Sequence, residues 1–132
     1  MTRATKNIVS AYQRDRVFAS SLYANESREL VTEFSGVLEP GDNPIVRATW
    51  DTYDTVFAAM SDPEIDGTAV KVRIRAQYAG RTRIRVDVTT PSGDVYSAWH
   101  SIRVQGAPYF TNNGWVTGPQ HLEVVILPLE PT

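Results

Sequence analysis

Apolar and polar side chains alternate over residues 68–105, and this alternation constrains the fold more than any other feature of the sequence. A period of two is what a strand with one buried and one wet face requires. The pattern covers residues 68–78, 82–90 and 94–105, and Gly80 and Gly93 lie where hairpin turns are expected. The sequence therefore predicts three consecutive antiparallel strands. Their predicted inward positions include Val70, Val72, Ile74, Ala76, Tyr78, Ile84, Val86 and Val88.

Three such strands need a covering layer, because two or three strands alone are at best marginally stable in water. Further strands are predicted at residues 8–12, 17–23, 29–34, 45–50, 56–60 and 122–127, although residues 11–34 also fit a poorly amphipathic helix. Turn signals predict a loop at residues 36–44, a turn at 51–54 and a turn-rich connection at 61–67. Short strands separated by turns favour an all-β fold, specifically an immunoglobulin-like or fibronectin-like antiparallel β-sandwich.

The length of 132 residues allows one hydrophobic core and is too short for two comfortable domains. We predict a sandwich over residues 30–105, an extended N-terminal arm or extra strands over residues 1–29, and an extended C-terminal arm with a terminal strand over residues 106–132. An exposed apolar strand is an aggregation hazard, so the terminal strand needs a partner. It either returns to an edge of its own sheet or joins a neighbouring subunit.

The composition argues against several classes of function. A net charge of −2 lacks the basic excess of a general nucleic-acid binder. The chain has no cysteine, which removes disulfide scaffolds, thiol catalysis and cysteine-based zinc sites. No apolar run is long enough to span a bilayer, and the first residues lack the apolar segment of a signal peptide. We therefore expect a soluble protein that uses no cofactor and binds neither nucleic acid nor membrane.

The histidines and clustered carboxylates form no recognisable catalytic or metal motif. His100 and His121 are the only histidines, and neither lies beside a nucleophile or a third ligand at a known spacing. The acidic side chains of residues 51–66 could ligate calcium, but their spacing matches no calcium loop, so solvated turns are the simpler interpretation. We predict a chain that is not an enzyme and holds no metal, with His100 as a partly exposed structural histidine.

The three tryptophans have different predicted roles. Trp50 and Trp99 are predicted to fill the core between the sheets. Trp115 lies in an irregular stretch with Tyr109 and Phe110. The sequence is compatible with two roles for Trp115, packing within the chain and contact at a subunit interface. Large aromatic side chains often anchor interfaces, so these three aromatic residues are candidate interface residues.

A basic patch would form if the first two strands of residues 68–105 were paired. Its members are Lys71, Arg73 and Arg75 on one strand and Arg81, Arg83 and Arg85 on the next. Three interpretations are open, namely a solvated face that blocks edge pairing, a head-to-tail contact with the acidic segment 39–66 of a neighbouring subunit, and nucleic-acid binding. The third lacks the interleaved aromatic residues that a stacking platform needs. The six basic residues complete the candidate interface.

Residues 30–105 resemble small immunoglobulin-like proteins of tailed-bacteriophage virions. The segments that carry the resemblance are 34–42, which reads FSGVLEPGD, 45–50, which reads IVRATW, and 69–80, which reads AVKVRIRAQYAG. They are followed by residues 84–90, by Ser92 and Gly93, and by residues 102–104. The chain is similar to the phage fibre-tail adaptor family, whose members share a Leu-x-x-Gly-Asp segment, a tryptophan-containing strand and an Ala-Gly turn before a Val-x-Thr-x-x-Gly hairpin.

The resemblance implies a structural role in a virion. The expected location is the tail, the neck or the fibre-attachment region, after synthesis in the host cytoplasm. The expected partners are other virion structural proteins and further copies of the chain in a homo-oligomeric ring. The alternative hypothesis is a carbohydrate- or surface-binding β-sandwich module that acts through Tyr109, Phe110 and Trp115.

Overall fold

Two β-sheets make up the fold. The computed structural model describes residues 4–9, 17–53, 55–106 and 118–126. Their strands are β1 (Ala4–Ile8), β2 (Val17–Tyr23), β3 (Ser27–Glu33), β4 (Arg47–Thr52), β5 (Ala58–Asp66), β6 (Ala69–Ala76), β7 (Gly80–Thr89), β8 (Val95–Gln105) and β9 (Gln120–Val125). One sheet has the order β1-β3-β6-β5, and the other has the order β2-β8-β7-β4-β9.

The core lies between the two sheets and follows from the alternation of side chains along the strands. Val72 and Ile74 on β6 and Ile84 and Val86 on β7 are fully buried, as predicted. Trp50 on β4 is also fully buried, which confirms its predicted place in the core. Burying a side chain of this kind stabilises the fold by roughly 1.5–3 kcal/mol. The period of two therefore decides which face of each sheet turns inward.

The prediction of an all-β, immunoglobulin-like sandwich is confirmed. The sheets are mixed rather than purely antiparallel, because β1 pairs with β3 and β2 pairs with β8 in parallel. Both β1 and β2 are edge strands, so the described parts of the first 29 residues belong to the sheets. Residues 17–23 and 27–33 form strands joined by a turn, and the alternative of a helix is wrong there. In the described ranges, no helix is long and apolar enough to cross a membrane.

The predicted set of three consecutive paired strands is wrong in one respect. β7 and β8 do form an antiparallel hairpin, but β6 pairs with β3 and β5 in the other sheet. The chain crosses from one sheet to the other between Ala76 and Gly80. The backbone N–H groups of Gln77 and Tyr78 donate to the carbonyl oxygens of Phe57 and Val56, at 2.8 and 3.1 Å, so this connection is held by the 55–57 segment.

Residues 61–67 were predicted as a turn-rich connection, but most of them extend β5. The strand continues to Asp66 with a bulge between Ser61 and Glu64, where Asp62 has a φ angle of 53°. β5 is an edge strand, and a bulge with Pro63 and exposed carboxylates hinders pairing with another chain. The turn signals thus mark an irregular edge strand rather than a loop.

The terminal strand returns to its own sheet. β9 pairs antiparallel with β4 and forms one edge of the five-stranded sheet. The side-chain amide of Gln120 donates to the carbonyl oxygen of Met60 at 2.8 Å and accepts from its N–H at 2.9 Å. This pair of hydrogen bonds joins the start of β9 to β5 in the opposite sheet, so the two sheets are linked along one side of the sandwich.

Candidate functional site

One row of side chains crosses the outer face of the five-stranded sheet. The strand registers align His121 on β9 with Asp51 on β4, and Asp51 with Arg85 on β7. Arg85 is aligned in turn with Trp99 on β8, and Trp99 with Val17 on β2. Because the Cβ atoms of directly opposite residues in an antiparallel pair lie about 4.5–5.5 Å apart, the members of the row from His121 to Trp99 can contact their neighbours.

Trp99 lies on this outer face, and its predicted place in the core is wrong. On β8 the buried residues are Ala98, His100, Ile102 and Val104, so Trp99 has the opposite parity and is half-buried. The guanidinium carbon of Arg85 lies 5.7 Å from the centroid of the Trp99 ring, which is a cation–π distance. Trp99 is therefore a partly exposed aromatic side chain with an arginine over its ring.

His100, rather than its neighbour Trp99, points into the core at this place on β8. It is fully buried rather than partly exposed, because it shares the parity of Ala98 and Ile102. Its Nε2 lies 2.9 Å from the hydroxyl of Thr32, and its ring is 5.3 Å from that of Phe18. Burial lowers the pKa of His100 to about 4, so the imidazole is neutral at pH 7 and closed to substrate.

Tyr53 stands directly after β4 and is 83% exposed. The segment that follows it is anchored, because the N–H and the hydroxyl of Thr55 both donate to the carbonyl oxygen of Gly118, at 2.9 and 3.0 Å. The side-chain amide of the fully buried Gln77 donates to the carbonyl oxygen of Thr55. A large exposed aromatic side chain thus projects from a backbone that is held on both sides.

Two depressions flank Tyr53 and Trp99. The first has a volume of about 370 Å³ and is lined by Asp51, Thr52, Tyr53, Arg85, Asp87, Trp99, Pro119, Gln120 and His121. The second has a volume of about 500 Å³ and is lined by Tyr53, Phe57, Arg81, Thr82, Arg83, Trp99 and Ser101. Tyr53 and Trp99 line both depressions, so these two aromatic residues form the centre of the candidate surface.

The first depression contains paired charges. Nδ1 of His121 bonds to Oδ1 of Asp51, and this hydrogen bond raises the pKa of the histidine. Nε2 of His121 lies 3.8 Å from a carboxylate oxygen of Glu123. Nε of Arg85 forms an ion pair of 3.1 Å with Asp87. Each cationic group here therefore has an acidic neighbour, and His121 turns both ring nitrogens towards carboxylates.

The second depression has a different charge pattern. Arg81 and Arg83 line it and are exposed, and the strand register places Arg103 directly opposite Arg81. Within the described residues, no carboxylate forms an ion pair with any of these three arginines. The outer face is thus divided into an acidic half with internal ion pairs and an arginine half without them.

The predicted basic patch is divided between opposite faces of the sandwich. Lys71, Arg73 and Arg75 lie on β6 in the four-stranded sheet, where Lys71 pairs with Asp66 at 3.1 Å. Arg81, Arg83 and Arg85 lie on β7 in the five-stranded sheet. A single patch requires β6 and β7 to be paired, and they are not. The other candidate interface residues, Tyr109, Phe110 and Trp115, lie outside the described residues.

Sequence reasoning missed Tyr53, Asp51, His121 and Arg103 as members of this surface. Tyr53 was assigned to a turn, and only the pairing of β4 with β7 brings it beside Trp99. The sequence does indicate that Arg103 lies on the same face as Trp99, because the two residues are four positions apart on one strand. Among the described residues, no group of three histidine or acidic side chains could hold a metal ion.

Comparisons with known proteins give structural neighbours only. No protein-family model matches the chain, and no curated protein matches it. Similar solved structures include the cysteine protease inhibitor EhICP2 from Entamoeba histolytica, with 13% identity, a TM-score of 0.45, and coverage of 77% of this chain and 97% of that one. PbICP-C in complex with falcipain-2 has 9% identity, a TM-score of 0.46, and coverage of 80% and 93%. Amebosin has 11% identity, a TM-score of 0.39, and coverage of 80% and 100%.

These neighbours correct the predicted role as a structural virion protein. They include a cysteine protease inhibitor and a chain solved with falcipain-2, and none of the three is described as a virion protein. The predicted partners, other virion proteins and a homo-oligomeric ring, are corrected with it, because PbICP-C was solved with falcipain-2, which is a different kind of partner. The resemblance to the fibre-tail adaptor family and the location in a virion stay predictions from the sequence.

Proposed function

We propose that this chain is a noncatalytic protein-binding module, and that it binds through the outer face of the five-stranded sheet around Tyr53 and Trp99. The observation that carries this proposal is that the exposed Tyr53 and the half-buried Trp99 line the same two depressions, with arginines beside them, on the outer face of the sheet. Tyrosine, tryptophan and arginine are the residues that most often dominate the binding energy of protein interfaces.

The size of this face suits a protein partner. Five strands at a spacing of about 4.8 Å give a width of about 19 Å, and strands of six to eleven residues extend for about 20–37 Å. The projected area of about 500 Å² is of the same order as the roughly 800 Å² that each partner buries in a standard protein interface. Its two depressions are shallow enough to admit side chains of a partner, and they share the aromatic centre.

The geometry of the histidines supports a noncatalytic role. His121 is the only histidine on this face, and both of its ring nitrogens point to the carboxylates of Asp51 and Glu123. A histidine that activates a nucleophile needs one ring nitrogen directed at that nucleophile. His100 is fully buried behind the sheet and bonded to Thr32. Neither imidazole is therefore placed to transfer a proton to a bound substrate.

A binding screen with paired variants tests the proposal. The immobilised protein is exposed to a panel of purified proteins that includes a cysteine protease, and binding is measured by surface plasmon resonance. The double change Tyr53→Ser and Trp99→Ser should abolish binding of any true partner, because it removes the aromatic centre. The matched control is Arg73→Ser on the opposite sheet, which should leave binding unchanged.

Two outcomes would contradict the proposal. A partner that binds the aromatic double variant as tightly as the native protein would place recognition on another surface. A purified preparation that turned over a substrate, with a rate that followed the concentration of this chain, would remove the noncatalytic assignment. Circular dichroism of each variant establishes that a loss of binding is not a loss of fold.

A further inference from the structure

Arg81 and Arg103 face each other across the β7–β8 hairpin. Like charges at directly opposite positions of an antiparallel pair destabilise the sheet, since their Cβ atoms lie only about 4.5–5.5 Å apart. Arg83 adds a third positive charge two residues further along β7. No carboxylate among the described residues is within ion-pair distance of these three side chains. An anionic ligand would therefore relieve repulsion that the described part of the chain leaves uncompensated.

The second depression, of about 500 Å³, lies beside these arginines. Its aromatic walls come from Tyr53, Phe57 and Trp99. The position of Phe57 depends on Gly80, because a Cβ atom at Gly80 would lie 2.3 Å from the Phe57 ring. The ring thus packs against bare backbone at the start of β7. This gives the arginine half an open depression with three aromatic walls that can accept one large side chain.

The acidic half of the face limits what the arginine half can bind. Asp51, Asp87 and Glu123 lie along the same outer surface beyond Trp99. Each of these carboxylates is already paired with an arginine or a histidine, so a long polyanion that continued across the sheet would meet no unpaired cation among the described residues there, and the chain as a whole carries a net charge of −2. A short anionic segment that ends near Trp99 needs no cations beyond the three arginines. Charge complementarity therefore favours an acidic peptide segment over a nucleic-acid strand.

We propose that the arginine half of this face, formed by Arg81, Arg83 and Arg103 beside the depression of Tyr53, Phe57 and Trp99, binds an acidic segment of the partner protein. This inference rests on the proposed function and names the partner chemistry of the same surface. Aspartate or glutamate side chains pair with the arginines, whose planar guanidinium groups suit bidentate contact with carboxylates. An aromatic or large aliphatic side chain of the same segment enters the depression.

The test uses synthetic peptides and the full chain. The probe is a short, acetylated and amidated peptide in which aspartates and glutamates flank one phenylalanine. One control peptide replaces the acidic residues by asparagine and glutamine, and a second replaces the phenylalanine by alanine. Titrations are followed by two-dimensional ¹⁵N–¹H NMR, which reports both the affinity and the binding surface. We expect shifts at residues 81, 83, 101 and 103, and we expect both control peptides to bind more weakly.

Charge reversal provides the matched comparison. The double change Arg81→Glu and Arg103→Glu should weaken binding of the acidic peptide by about tenfold or more, because it replaces attraction by repulsion. Arg73→Glu, on the opposite sheet, should change the affinity by less than about twofold, since charges beyond a Debye length of about 8 Å are largely screened at physiological salt. The neutral changes Arg81→Gln and Arg103→Gln serve as a second pair if the reversed pair fails to fold.

The outcomes separate this inference from the proposed function. If a partner from the protein screen depends on Tyr53 and Trp99 but binds the charge-reversed variant normally, the acidic-segment inference is wrong while the binding module stands. Failure of the acidic peptide to bind, or tighter binding of a single-stranded oligonucleotide at the same arginines, also overturns the inference. Peptide shifts confined to the opposite sheet would overturn both proposals.

Discussion

Acidification should destabilise the fold through His100, and the expected size of the effect follows from its burial. The imidazole is fully buried on β8, and its Nδ1 has no hydrogen-bond partner among the described residues. Nε2 is satisfied by the hydroxyl of Thr32 at 2.9 Å. Protonation would therefore place a positive charge in the core with no acidic partner, which is why desolvation lowers the pKa to about 4.

The sign and the magnitude are set by the difference between the unfolded and folded pKa values. An unfolded histidine takes up its proton near the ordinary value of 6.5, whereas His100 in the fold resists protonation until about pH 4. The unfolded state thus binds more protons in this window, and stability falls as the pH decreases. Linkage gives a loss of about 2 kcal/mol between about pH 7 and pH 5, a sizeable share of a typical total of roughly 5–15 kcal/mol.

Urea unfolding at a series of pH values measures this effect. The variant His100→Gln keeps a side chain that can bond to Thr32 but cannot titrate, so its stability should fall much less over the same window. His121→Gln is the matched control, because His121 is exposed and its pKa is raised by Asp51, so its own contribution has the opposite sign. Equal slopes of unfolding free energy against pH for the native protein and His100→Gln would refute the reasoning.

Three further changes test the packing. Ile84→Ala should lower the unfolding free energy by about 2–5 kcal/mol in urea titrations, because Ile84 is fully buried and the change leaves a cavity; a loss below about 1 kcal/mol would contradict its place in the core. Gln120→Ala should cost about 1–3 kcal/mol and speed hydrogen exchange at the Met60 amide, which loses its acceptor; unchanged exchange there would contradict the link between the sheets. Gly80→Ala should displace the ring of Phe57 and shift its NMR signals, whereas an unchanged spectrum would contradict the close approach.

The strands were readable from the sequence because each carries its own pattern of alternation. β2 has the predicted bounds, and β6, β7 and β8 differ from the predicted runs by only a few residues at their ends. Alternation identifies the inward face of a strand, but it carries no information about which sheet that face belongs to. The alternation along β6 is equally compatible with two arrangements. In one, β6 pairs with β7, and in the other, β6 lies in the opposite sheet. The second arrangement is the observed one, so the prediction for β6 failed at pairing rather than at parity. Beyond the end of β6, parity failed as well, because Tyr78 was predicted to face inward and is exposed.

The position of Trp99 was predicted wrongly, although the alternation of side chains along β8 indicates the right one. Trp50 and Trp99 were both assigned to the core because large aromatic residues bury much apolar area. On β8, however, Ile102 and Val104 define the inward parity, and Trp99 has the outward one. Strict use of the period would have placed His100 inside and Trp99 outside. The outward position of Trp99 could therefore be predicted from β8 alone. The position of Tyr53 beside it could not, because it depends on how the strands pair.

The division of the basic residues between two faces changes what their charge can do. Six cations on adjacent strands would form one strong positive field, whereas the fold distributes them so that each face also carries carboxylates. On the four-stranded sheet, Lys71 pairs with Asp66 and Arg73 is half-buried. On the five-stranded sheet, Arg81 and Arg83 are joined by Arg103, which no pattern in the predicted patch included. Sheet pairing, rather than the count of basic residues, thus places Arg81, Arg83 and Arg103 beside Tyr53 and Trp99, where one partner segment would contact both the arginines and the aromatic side chains.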